Sequence, residues 1–129
     1  MTLSKFVTEH LKITSKTKSV TLRPTTKEEL LTLIKQELFK EGRDADLNHI
    51  DVSGITDMRD LFPQIKVNVR NIKIDKWDVS NVTDMRWMFD NCDSFKSDLS
   101  GWDVSNVNKY NNMFDKCPNM TADLQPKFN

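Results

Sequence analysis

At 129 residues the chain is long enough for one compact domain that buries roughly two-thirds of its unfolded surface, and too short for two. Lys plus Arg balance Asp plus Glu at 19 each, so no global charge draws the chain onto nucleic acid or an anionic membrane. Two cysteines are too few for a disulfide framework, and three glycines leave no Gly-rich phosphate cradle.

The charge is unevenly placed. Residues 1–43 hold nine Lys or Arg against five Glu, and residues 44–129 hold ten against fourteen Asp. Glu suits helix interiors, whereas the short Asp side chain bonds nearby backbone N–H groups and suits caps and turns. The sequence therefore divides into an N-terminal helical cap region over 1–43 and a turn-rich repeat part over 44–129, expected to fold as one cooperative domain.

Leu3, Phe6, Val7 and Leu11 share one side of a predicted helix over 3–12, with Thr2 or Ser4 as its cap. The start, MTLSKFVTEHLK, has no uninterrupted apolar run after its Lys, and no later window approaches 18 apolar residues. A cytoplasmic protein without a membrane span is expected, or a cell-surface one if a leader has been removed. Residues 14–18 are polar, and 19–23 alternate Val20 and Leu22 with polar residues as a short strand would, up to Pro24. Thr26 and Glu29 form a capping-box pair ahead of the stripe Leu30, Leu31, Ile34 and Leu38. Gly42 follows where a helix C-terminus favours positive φ, so a helix is predicted over 26–41.

Asp44, Asp46 and Asn48 fit the first ligand positions of a calcium-binding EF-hand loop. The pattern then fails, with His49 in place of Gly and Ile55 in place of the bidentate Glu, so a polar turn is expected here. From this point the chain repeats. WDVSNVTDMRWMFDNC at 77–92 is written again as WDVSNVNKYNNMFDKC at 102–117, 25 residues on, and a fainter copy at 50–62 precedes it at an offset of 27. The two-residue difference falls within 63–76. In each copy Ile50 and Val52, Trp77 and Val79, or Trp102 and Val104 alternate across an Asp, which predicts short strands near 48–52, 73–79 and 99–104. Apolar residues then recur every three positions, as in Val82, Met85, Met88, which predicts a helical turn after each strand, with Asn81 and Asp84 as a capping pair in the second copy and Ser53 or Thr56 serving the first.

One strand and one helical turn per 25 residues predicts an α/β fold: a short leucine-rich-repeat-like solenoid of about three coils, capped by the N-terminal helical region. These residues resemble the BspA-like leucine-rich repeats of bacterial surface proteins, the DUF285 family, nearly residue for residue at 77–107, with the resemblance running over roughly 24–120. The resemblance implies a right-handed solenoid used for protein recognition, often adhesion, without known catalysis. This chain departs from the pattern in its few coils and in the link IKVNVRNIKIDKW.

No catalytic constellation stands out. His10 and His49 lie in no nameable motif with Cys, Ser or carboxylate, and G-x-S-x-G is absent. The expectation is a non-enzymatic protein-binding module with no cofactor and no metal, monomeric, in the manner of an intracellular inhibitor or immunity-type binder. A cell-surface adhesin fragment is the first alternative, and a weak nucleic-acid binder through Lys12, Lys16, Lys18 and Arg23 the second. Cys92 and Cys117, the same repeat position used twice, are expected to be reduced and buried.

The expected binding residues are the column Asp51, Asp78, Asp103, together with Arg86 and Trp87. Stacked copies would set the three carboxylates about 5 Å apart, where a cation or a basic partner would relieve their repulsion. Alternatively each Asp bonds the backbone around Ser53, Ser80 or Ser105 and sets the turn. Trp87 is matched by the polar Asp60 and Asn112 in the other copies, which predicts partial exposure, either for recognition or to cover the link at 63–76.

Overall fold

The computed structural model describes residues 11–13 and 20–128. Two short strands, β1 (Leu11–Ile13) and β2 (Val20–Leu22), form an antiparallel hairpin that pairs Leu11 with Leu22 and Ile13 with Val20. The strand expected over 19–23 is therefore present. The helix expected over 3–12 is not formed at its end, because β1 takes its main-chain partners from β2. The rest of that expectation lies outside the described residues.

Helix α1 (Lys27–Glu41) begins and ends as its sequence requires. Thr26 is extended and accepts from the Glu29 N–H at 3.2 Å, while the Glu29 carboxylate accepts from the Thr26 N–H at 3.2 Å. Gly42, at φ 88°, donates its N–H to the Leu38 carbonyl at 2.8 Å. Leu30, Leu33, Ile34 and Leu38 are buried, and Phe39 points to water on the other side.

Beyond α1 the regular structure among the described residues is two 3₁₀ turns, Pro63–Ile65 and Ala122–Leu124. The short strands expected near 48–52, 73–79 and 99–104 are not formed, and neither are the helical turns expected after them. The buried faces were nonetheless assigned correctly: Ile50, Val52, Trp77, Val79, Trp102 and Val104 are all core. What replaces extended strand is a series of turns in which an Asp accepts from the backbone N–H two residues on, at Asp46, Asp51, Asp57, Asp78, Asp84, Asp98 and Asp103. Each bond folds the chain back locally, so alternation survives without a strand.

The copies lie on one another in parallel. Asp57 bridges to Asp84 and Asp84 to Lys109, while Asp46 bridges to Lys73. The N–H groups of Met58, Asp60 and Phe62 donate to the carbonyls of Asp84, Arg86 and Met88; those of Met85, Trp87, Phe89 and Asn91 donate to Lys109, Asn111, Met113 and Asp115. Because these amides are spent between copies, they cannot close helical turns within one. The capping pair expected at Asn81 and Asp84 is likewise absent: Asn81 Nδ2 donates to the Ser53 carbonyl at 2.8 Å, as Asn106 does to Ser80 at 2.6 Å.

Side chains repeat the same stacking. Phe62, Phe89 and Phe114 form one column, with ring centroids 4.9 and 5.5 Å apart, and Trp77 stacks on Trp102 at 6.4 Å. Each Trp N–H reaches the carbonyl of the preceding copy, Trp77 to Leu47 at 2.8 Å and Trp102 to Ile74 at 3.0 Å. The two extra residues of the first copy sit in the Pro63–Ile65 turn, since Phe62 and Phe89 are 27 apart while the left-handed residues Lys66 and Asn91 are 25 apart. One buried cluster runs from Leu22 and α1 to Met120.

Candidate interaction surface

Two columns of residues adopt positive φ: Asp60 (57°), Trp87 (54°) and Asn112 (59°), then Lys66 (61°), Asn91 (60°) and Lys116 (58°). Asp and Asn tolerate this region because their short polar side chains bond locally, whereas a bulky residue there costs roughly 1–2 kcal/mol. Trp87 is thus the misfit of its column. It is half-buried, its backbone N–H donates to the Asn111 carbonyl at 3.3 Å, and the Arg59 guanidinium lies 5.7 Å from its ring centroid.

The cation over Trp87 is therefore Arg59 of the neighbouring copy, which sequence reading passed over in favour of Arg86. The offset of 27 contained the signal, because it sets Asp60 opposite Trp87 and so puts Arg59 beside it. Arg59 also lies 3.6 Å from Asp60. Arg86 is engaged instead by Asp84, with Nε at 3.1 Å and Nη2 at 2.8 Å. That bond holds the Asp84 carboxyl below its usual range against the opposing effect of burial.

The Asp column is built into turns. Asp51 accepts from the Ser53 N–H at 3.0 Å, Asp78 from the Ser80 N–H at 3.0 Å and its hydroxyl at 2.6 Å, and Asp103 from the Ser105 N–H at 3.1 Å and its hydroxyl at 2.6 Å. The Ser105 hydroxyl, with its N–H, holds the Asp103 carboxyl below the ordinary value. Asp51 additionally lies 3.6 Å from Arg23. These bonds favour the turn-setting role over a cation column, and among the described residues no group of three or more His, Cys, Asp or Glu is arranged to hold a metal ion. Among the described residues no hydrogen bond, ion pair or ring contact joins Asp78 or Asp103 to Arg86 or Trp87.

The EF-hand-like stretch is a turn as well: Asp44 accepts from Nε and Nη2 of Arg70 and from the Asn71 N–H, and Asp46 accepts from the Asn48 N–H. His49 Nε2 meets Glu37 of α1 at 3.3 Å, a contact that no sequence motif announced. Cys92 and Cys117 are buried free thiols. Burial pushes Cys92 up to about 12 and Cys117 up to about 11, and the Cys117 thiol donates to the Phe89 carbonyl at 2.7 Å.

Copies that hand their main-chain hydrogen bonds from one to the next, with aromatic columns inside and Asp-set turns outside, define a stacked-repeat protein. The chain belongs to the DUF285 family, described as Mycoplasma protein of unknown function, which matches residues 34–129. The match starts within α1 and runs to the last residue, later at one end and further at the other than the resemblance read from the repeats. No curated protein and no solved structure matches the chain. Among the described residues no helix is long and apolar enough to cross a membrane.

Proposed function

We propose that this chain is a non-enzymatic protein-recognition module, a short leucine-rich-repeat-like solenoid of about three coils capped by α1, with Trp87 and its neighbours Arg59 and Arg86 at the centre of its binding face. Parallel bridges and copy-to-copy hydrogen bonds support the solenoid reading. The binding reading is carried by one observation. Trp87 occupies a left-handed position where the equivalent residues are Asp60 and Asn112, so the fold requires the conformation but not the Trp, which adds strain there. A half-buried Trp with the Arg59 guanidinium against its ring pairs the two residue types most enriched at binding hot spots.

The exposed Asp78 and Asp103 extend this face as an acidic strip that suits a basic partner, because each turn uses Oδ1 and leaves Oδ2 toward water; Asp51 continues the strip at its Arg23 end. The test is affinity capture from the source organism followed by Trp87→Asn and Asp78→Lys in the captured pair. Asn suits the φ of position 87, so the fold should hold while affinity falls about thirtyfold, the 2 kcal/mol of a hot spot. Unchanged affinity for both variants would remove this face from consideration.

A further inference from the structure

Along 58–62 and 85–91 the stack has a polarity, the amides of one copy donating to the carbonyls of the next, whereas Thr83 and Asn108 just before these stretches donate back to Thr56 and Thr83. In the third copy the equivalent amides, those of Tyr110, Asn112, Phe114 and Lys116, have no acceptor among the described residues. The side chains open at the same place. Tyr110 is 40% exposed where Met58 and Met85 are 0%, and Val107 and Phe114 are half-buried where their counterparts are core. Phe128 stacks on Tyr110 with centroids 4.1 Å apart, so an apolar group already rests on this edge.

We propose that this end of the stack is a second docking surface, separate from the Trp87 face, and that its occupant is an extended segment of another polypeptide that adds as one further coil. The interface between the second and third copies is its template: a row of main-chain carbonyls to meet the four amides, and apolar side chains every third residue to cover Val107, Tyr110 and Phe114. A second copy of this chain does not fit. Two such edges placed together would set donor against donor. The opposite end, whose carbonyls at Asp57, Arg59 and Leu61 accept no main-chain bond among the described residues, is occupied by α1, with Lys27 Nζ 4.0 Å from Asp57 and Met58 and Leu61 fully buried.

The test uses the full chain and a synthetic peptide copied from residues 80–93, SNVTDMRWMFDNCD, with a scrambled peptide as control. Without peptide, amide exchange should be fast at 110, 112, 114 and 116 and slow at the equivalent 85, 87, 89 and 91. Saturating peptide should slow the first set by about tenfold or more, the scrambled peptide should not, and Tyr110→Lys, whose side chain is half in water and need not disturb the fold, should abolish the protection. Absence of protection, equal protection by the scrambled peptide, or retained protection in Tyr110→Lys with an unaltered melt would overturn the proposal. So would a concentration-dependent dimer, seen by sedimentation, that protects those amides.

Discussion

Replacing Trp102 separates the two things its side chain does. The residue is 5% exposed, its ring stacks on Trp77 at 6.4 Å, and its N–H meets the Ile74 carbonyl at 3.0 Å in a buried setting. Trp102→Ala removes both the packing and the donor, and truncating a buried Trp costs about 3–5 kcal/mol. Trp102→Phe keeps an aromatic on the column but removes one of the two hydrogen bonds to the Ile74 carbonyl, which still accepts from the Trp77 backbone N–H at 3.1 Å, so the loss is about 0.5–1.5 kcal/mol. A small domain has only about 5–15 kcal/mol in total, so the Ala variant should be close to unfolding and the Phe variant should melt cooperatively at lower denaturant. With a urea slope of about 1–3 kcal/mol per molar, the Ala change lowers the midpoint by at least about 1 M. A loss within about 1 kcal/mol for Trp102→Ala, or equal losses for the two variants, would mean that the column and its hydrogen bond do not hold the copies together.

Cys92 and Cys117, pushed up to about 12 and about 11, should resist thiol reagents in the native protein at neutral pH and both react once it is unfolded; fast native labelling would contradict their burial. Asp84, Asp98 and Asp103 have carboxyls held below the ordinary value by hydrogen bonds to Arg86, Ser100 and Ser105. Their stabilisation is complete above the unfolded value of about 3.9 and is lost as pH falls through the lowered folded value, so the melting temperature should be flat between about pH 7 and 5 and fall below about pH 4. A melting temperature that rises on acidification would contradict the turn bonds. Gly42→Ala meets no atom within 4 Å, so its cost should be purely the backbone strain at φ 88°, about 1–3 kcal/mol in a thermal melt; a neutral result would mean the chain leaves α1 by another route.

What the sequence made legible was whatever repeats or caps. The 25-residue register located the buried columns, and Thr26, Glu29 and Gly42 bounded α1 to within a residue. Secondary structure inside the copies was not legible, for a definite reason. An Asp between two apolar residues gives the period of a strand, and it gives the same pattern when that Asp folds the chain back onto the N–H two residues on. Likewise a spacing of three buries Val82, Met85 and Met88 whether the chain coils as helix or sends alternate amides to the next copy. The polar residues at 60 and 112 were read as a sign of exposure. Their cause is the left-handed backbone, which favours Asp and Asn whether or not the position is exposed. Arg59 was missed because it belongs to a different copy from Trp87, and only the stacking brings them together.

The two outer faces of the 58–62, 85–91 and 110–116 stretches differ in the main-chain groups they present. An unpaired buried N–H is rarer in proteins than an under-bonded carbonyl, which has two lone pairs and lower demands. The α1 end presents the carbonyls of Asp57, Arg59 and Leu61, the groups more easily left without a main-chain donor, and a helix packing through side chains can cover that end. The far end presents amides. Covering those four N–H groups with a surface that lacks acceptors would cost about 1–3 kcal/mol for each one buried, enough to reject an apolar patch of otherwise suitable shape. The exposure of Tyr110 and its neighbours is therefore what keeps the amides hydrated in the free protein. The same four groups make the edge selective, because only a segment that brings a carbonyl to each can bury Val107, Tyr110 and Phe114 without stranding a donor.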